Sequence, residues 1–317
     1  MKSSVGRPIA RFLSAALLAA GCFPAAAKEL KVATFLPPTH PIVGLYEQLG
    51  KELAAATNGD LTLKVYPGGT LGAGPFQQYK RAVEGVTDIA DICHAFHAKV
   101  FSKTMLIVLP GTANSASDAT TRLYNVPEAQ MASDYKEVRN VFMYSVPQAT
   151  LISRDKPVPI IGAWGASPVP MDLNDMFNAL STGVVDATAL TPTALLPPWR
   201  LSEISKYVTV GVSGLFNPCG AIMNKDSYAG LTPSQKAAFD KLTGKVLALR
   251  AAKIFDDWAE QAFRSAQEGK RVEVIQLAPE VRKAMYDAAR PVVDKIIADI
   301  EKDGGAGARA VYQAMNQ

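Results

Sequence analysis

Cysteine is nearly absent: the 317-residue chain holds 3. That excludes the disulfide framework of a small secreted scaffold, and no CxxC pair occurs. Histidine is equally scarce, also 3, and no HExxH metalloprotease helix is present. There is no nucleophile elbow of the GxSxG kind. The glycine-rich GGTLGAG lacks both the GK[ST] ending of a phosphate loop and the GxGxxG order, and reads as a turn. After the N-terminus no apolar run reaches membrane-spanning length.

The first 27 residues differ from the rest. Lys2, Arg7 and Arg11 precede the apolar run FLSAALLAAGCF, and Ala25-Ala26-Ala27 forms a small-x-small site. This is the pattern of a secretory signal peptide, with cleavage expected before Lys28. A lipoprotein signal acylated at Cys22 is the weaker alternative, because Ala19 stands where a branched apolar residue is usual. Removing residues 1–27 takes away three bases and no acid, leaving 30 Lys+Arg against 29 Asp+Glu, a net of about +1. No basic footprint for nucleic acid remains. The mature chain is expected to be soluble and periplasmic. It keeps Cys93 and Cys219; export permits a disulfide, but sequence does not give their separation in space, and two buried thiols are expected.

The mature chain alternates strands and helices. Residues 30–36 (LKVATFL) read as a strand, and Pro41 opens a helix with Leu45, Tyr46, Leu49 and Leu53 at helical spacing. Residues 61–67 alternate, with Leu61, Leu63 and Val65 on one face. A short helix ending at Gly85 precedes a strand over 86–92. Later come a helix over 173–183 and strands over 184–190, 206–212 and 220–224. Thr232-Pro233-Ser234-Gln235 is a capping box with proline at the first helical position. Helical pattern then continues to about Glu268, with Gly244 as a place to bend. A further strand, KRVEVIQL, leads into terminal helices. The pattern is α/β, with a long helix serving as a spine for two lobes around a cleft.

FLPPTHP, ATNGDLTLKVYPGGTLG, QQYKRAVEGVTDIA, GASPVPMDLNDMFNALSTGVVDA and IMNKDSYAGLTPSQKAAFD occur in that order across nearly all of the mature chain. Together they resemble the DctP-like solute-binding proteins of tripartite ATP-independent periplasmic (TRAP) transporters. The resemblance implies a two-lobed periplasmic-binding-protein-like α/β fold with a long helix spanning both lobes. It implies capture of a small organic acid in the interlobe cleft and delivery to TRAP membrane permease subunits, with no chemistry on the ligand. Expected boundaries are a signal peptide over 1–27, lobe 1 over 28–146 with 211–258 returning to it, and lobe 2 over 147–210 with 259–317 returning to it.

In such proteins a strand with a pattern like DLKGLKIR, followed by a helix, precedes GASPVPM, and its arginine anchors the ligand. A guanidinium suits that task because it makes two parallel charge-assisted hydrogen bonds to a carboxylate. Here RDKPV runs directly into PIIGAWGASPVPM, so lobe 2 is expected to be shortened near 159–165 by on the order of 20 residues, about one strand-plus-helix unit. The chain is then a damaged or mispredicted member, a variant with an altered cleft, or one that folds poorly; a deletion that impairs binding is the favoured expectation. The alternative function is a degenerate member with little or no ligand binding.

Candidate ligand contacts are His40, Gln148, Arg154, Thr188, Leu190 and Thr191. Arg154 and Arg200 are the nearest bases to replace the anchor, each weighed against an ordinary surface arginine. Gln148 is equally a solvent-facing strand residue, and His40 equally a helix-start residue. Thr188 and Thr191 offer hydroxyls but no charge. Phe96 and Trp164 are candidate apolar walls. The CHAFH cluster of Cys93, His94 and His97 lacks a fourth ligand, and no metal and no cofactor are expected.

Overall fold

The computed structural model describes residues 27–72, 74–111, 113–153, 175–197, 199–212, 214–269 and 272–317. Residues 1–26, Arg154, Trp164 and the 159–165 stretch, where a shortening is expected, lie outside the described residues.

The first lobe starts with β1 (Lys28–Ala33), α1 (Pro41–Ala56), β2 (Leu61–Tyr66), α2 (Gln78–Val83) and β3 (Ile89–Cys93). β1 and β2 alternate, so each buries one face: Leu30 and Val32 are buried while Lys31 is exposed. β3 is apolar almost throughout, as suits a central strand. α1 starts as its sequence requires. His40 caps it by accepting the amide of Ile42 at 3.2 Å, and Pro41 occupies the first turn. The chain then runs through α3 (Ala116–Leu123) and α4 (Glu128–Met131) into β4 (Val138–Val146).

The second lobe holds β5 (Thr150–Ser153), α5 (Met176–Thr182), β6 (Ala187–Leu190) and β7 (Tyr207–Val210). The chain returns to the first lobe in β8 (Asn217–Asn224), α6 (Lys225–Ala229) and α7 (Pro233–Leu242). It then crosses both lobes along α8 (Lys245–Glu268), adds β9 (Glu273–Gln276) to the second sheet, and ends in α9 (Pro279–Lys302) and α10 (Ala308–Met315). Two sheets result among the described residues, β2-β1-β3-β8-β4 and β6-β5-β7-β9.

α8 joins the two cores. Its Leu247, Ala248, Ala251, Ala252 and Phe255 are buried in the first-lobe core, and its Ala262 and Ala266 in the core beneath β5 and β7. The helical pattern expected from Thr232 to about Glu268, with a bend at Gly244, is in fact two helices. The capping box of Thr232 and Gln235 is present, but Gly244 adopts φ 63° and ψ −140° and starts α8 afresh. That backbone region is all but restricted to glycine.

Two further expectations are corrected. Cys93 and Cys219 are not free thiols: they form a disulfide, because β3 and β8 pair antiparallel with these residues directly opposite. Nor does all of 259–317 return to the second lobe. β9 joins that lobe's sheet, and Met285 near the start of α9 packs with Val212 and Leu277. Further along, Val293 and Ile297 of α9 and Val311 and Met315 of α10 pack with Leu106, Ile107 and Leu123 of the first lobe. A 24-residue helix is about 36 Å long, enough to reach from one lobe to the other.

Candidate functional site

The chain crosses between the lobes at the β4–β5 and β7–β8 connections and along α8. A cavity of about 700 Å³ lies where the lobes meet. The β1–α1 connection supplies Pro37, Thr39, His40 and Pro41, and the stretch after β6 supplies Pro197 and Trp199. The floor is one face of α8, where Ile254, Asp257, Trp258 and Gln261 recur at helical spacing. In an open α/β sheet the carboxyl ends of the strands face the ligand crevice, and Pro37–Pro41 follow the carboxyl end of β1.

His40 is held firmly. Its ring lies 5.4 Å from that of Trp258 and 6.0 Å from that of Phe255. Burial pushes its pKa down to about 4, so it is neutral at pH 7. Because Nδ1 accepts the Ile42 amide, the neutral ring carries its proton on Nε2. Trp258 packs at the margin of the first-lobe core and Trp199 at the margin of the second-lobe core, so each lobe contributes an indole. Asp257 is bound by Lys253 Nζ at 2.9 and 3.0 Å, an exposed pair one helical turn apart.

Of the sequence candidates among the described residues, His40 alone lines this cavity. Gln148 sits in the β4–β5 connection, and its Nε2 donates to the carbonyl of Gly214 at 2.9 Å. It ties one interlobe connection to the other. Thr188 is buried in β6 opposite Ile152, and Leu190 packs into the second-lobe core. Leu190 also accepts the Thr150 hydroxyl on its carbonyl at 3.1 Å, and the Thr191 hydroxyl meets that of Thr193 at 2.7 Å. Arg154 lies outside the described residues. Arg200 is mostly exposed, 3.7 Å from Glu203, as an ordinary surface arginine would be.

Sequence reasoning missed Trp199, Trp258, Asp257 and Gln261. The helical spacing of 254, 257, 258 and 261 was legible, but not that this stripe faces a cavity. Phe35 and Phe96, which follow β1 and β3, form an edge-to-face pair at 6.2 Å, and Phe76 joins Phe96 at 4.9 Å. Phe76 is 63 % exposed and Phe96 38 %, so this aromatic cluster stands open to solvent. Two of the CHAFH residues are otherwise engaged. Cys93 is in the disulfide, and both ring nitrogens of His94 lie 3.1 Å from oxygen partners, the Pro218 carbonyl and the Tyr135 hydroxyl.

A family model for bacterial extracellular solute-binding proteins, family 7 (DctP), matches residues 156–299. The C4-dicarboxylate-binding periplasmic protein DctP of Rhodobacter capsulatus is 27 % identical over 150 residues, 47 % of this chain and 44 % of that protein. The chain is similar to the DctP-like solute-binding proteins of TRAP transporters, with the family model covering under half of it. The matched part spans under half the length of the R. capsulatus relative. The ectoine/5-hydroxyectoine-binding periplasmic protein UehA of Ruegeria pomeroyi matches more broadly, 25 % identical over 86 % of this chain and 85 % of that protein.

Solved structures agree on the fold. A TRAP periplasmic solute-binding protein from Desulfovibrio salexigens superposes with a TM-score of 0.81 at 22 % identity, covering 92 % of this chain and 96 % of that one. One from Rhodoferax ferrireducens in complex with copurified benzoate gives 0.80 at 19 % identity, covering 91 % and 96 %. The matched family is one of solute-binding transport proteins.

Proposed function

We propose that the mature chain is the periplasmic solute-binding subunit of a TRAP-type transporter. It captures a small organic acid between its lobes and presents it to membrane permease subunits. The observation that carries this reading is the cavity of about 700 Å³ walled by both lobes and floored by a helix common to both cores. Cavities of that size suit small-molecule ligands. A ligand touching both walls stabilises the closed arrangement by its differential affinity for it, which is what makes closure a signal to the permease. The names of the relatives support the class of solute: one binds C4-dicarboxylates, another ectoines, and a structural neighbour holds benzoate. Residues 1–27 direct export, with cleavage before Lys28.

The test is a thermal-unfolding screen of the mature chain, residues 28–317, against small carboxylates, followed by calorimetry of any that shift the transition. The expected result is a cooperative melt raised by at least one acid; a ligand at a hundred times its Kd adds about 2.7 kcal/mol. A cooperative melt that no carboxylate moves overturns the reading and returns the non-binding alternative.

A further inference from the structure

Two of the connections that carry the chain between the lobes run side by side. One is 147–149, between β4 and β5; the other joins β7 to β8. They extend the β4–β8 ladder, whose last pair on this side is Val146 with Asn217. The Ala149 amide donates to the Leu215 carbonyl at 3.2 Å, and Gln148 Nε2 donates to the Gly214 carbonyl at 2.9 Å. Successive residues of one connection thus bond successive carbonyls of the other. Gly214 and Leu215 are in turn fixed to the first lobe. The Leu215 amide donates to the Val108 carbonyl at 2.8 Å. A Cβ on Gly214 would stand 2.9 Å from both the Val108 carbonyl oxygen and the Pro110 nitrogen, so only glycine lies this close to that backbone. Leu215 takes φ 65°, rare for a bulky side chain, and is held there by bonds at both its amide and its carbonyl. Toward the second lobe, Val210 at the end of β7 accepts the Leu277 amide at 3.1 Å. Gly211, at φ 85°, stands between the part held by one lobe and the part held by the other.

We propose that Gln148 is a positioning residue of the hinge: its side-chain amide clasps the β4–β5 connection to Gly214, so that the two connections turn as one and the second lobe pivots about Gly211 and the 149–150 junction. Without the clasp each connection bends separately, and the lobes sample more arrangements. Only a fraction of those arrangements brings both walls of the cavity onto a solute, and apparent affinity falls with that fraction. Losing one net hydrogen bond changes such an equilibrium by roughly two- to tenfold. The effect on affinity rests on the reading that a solute is captured between the lobes; the effect on lobe arrangement does not.

The test uses the mature chain with nitroxide labels at Lys51→Cys on α1 and Asn178→Cys on α5, both exposed positions. The Cys93–Cys219 disulfide leaves no native thiol to compete for the label. Gln148→Met keeps the length of the side chain without its donor, and Gln148→Asn keeps a donor too short to reach Gly214. Pulsed-EPR interlobe distances are recorded without solute, and calorimetry follows with an acid found in the thermal screen. Both variants are expected to melt cooperatively, to broaden the distance distribution, and to bind the acid roughly two- to tenfold more weakly. A distribution as narrow as that of the wild type in both variants overturns the proposal. If affinity falls all the same, Gln148 touches the solute itself. Broadening with unchanged affinity overturns the link from clasp to capture. If no carboxylate binds even the wild type, acid capture is what fails, and the distance distribution still decides the clasp.

Discussion

Asp91 is a carboxylate buried in the first-lobe core. It accepts hydrogen bonds from the Tyr46 hydroxyl at 2.9 Å and the Thr34 hydroxyl at 2.8 Å. Burial raises its pKa to about 6, against the lowering effect of those two hydrogen bonds. The folded value lies above the unfolded one, so the contribution to stability is fully present below about pH 4 and is lost as pH rises through 6. Holding the charged form above that range costs on the order of 3 kcal/mol. His40 and His94 work in the opposite sense: burial lowers each to about 4, so their contribution is present above pH 6.5 and lost as pH falls toward 4. The wild-type profile mixes the two, and Asp91→Asn separates them. Urea unfolding of both proteins at pH 4.5 and 7.5 is expected to show the variant gaining roughly 2 kcal/mol relative to wild type at the higher pH. An unchanged difference across that range means that Asp91 titrates like a solvated carboxylate. In the sequence VTDIADI, Asp91 reads only as a strand residue; its partners come from α1 and from the residue that follows β1, a proximity no local pattern contains.

At the scale of elements, α8 reaches into the first lobe by a specific contact. Its Asp256 accepts the Ala116 amide at 2.7 Å and the Ser117 amide at 3.0 Å, the first two free donors of α3. Ser115 caps the same end by accepting the Asp118 amide at 3.0 Å. A carboxylate at a helix N-terminus satisfies orphan amides and complements the helix dipole. Asp256→Ala is therefore expected to destabilise the protein by about 1–2 kcal/mol. Asp256→Asn, which keeps one acceptor, is expected to lose less. Equal losses for the two, measured by denaturant unfolding, refute a capping role. The capping box of Thr232, the proline start of α1 and the alternation of β1 and β2 were all legible, because each is local chemistry. The break at Gly244 was legible as a possible bend but not as a new helix start, since its φ of 63° is set by tertiary packing and by its amide bonding to the Val141 carbonyl at 2.8 Å. The Cys93–Cys219 bridge was hidden for a related reason. The cysteines are 126 residues apart, and only the register of β3 on β8 brings them together.

At the scale of the whole molecule, the two lobes are unequal among the described residues. The first-lobe sheet packs under α1 and α8, a long apolar strand, β4, and a disulfide between β3 and β8. The second-lobe sheet is built of four-residue strands, and its core borrows Ala262 and Ala266 from α8. Short strands with a small shared core open at lower free energy than a larger sheet. Amide hydrogen exchange of the solute-free protein is thus expected to show weaker protection at Ile152 and Val208 than at Val32 and Ile222, although all four are fully buried. Solute bound between Trp199 and α8 ties the second lobe to the spine, so its addition is expected to raise protection chiefly in β5, β6 and β7. Equal protection of both sheets without solute contradicts the inequality. Protection gained mainly in β1, β3 and β8 on addition of solute places the ligand away from the second lobe. The difference matters for function, because the lobe that opens most cheaply is the one whose closure a solute can drive. That is consistent with a receptor whose first lobe and spine stay fixed while the second swings onto the captured molecule.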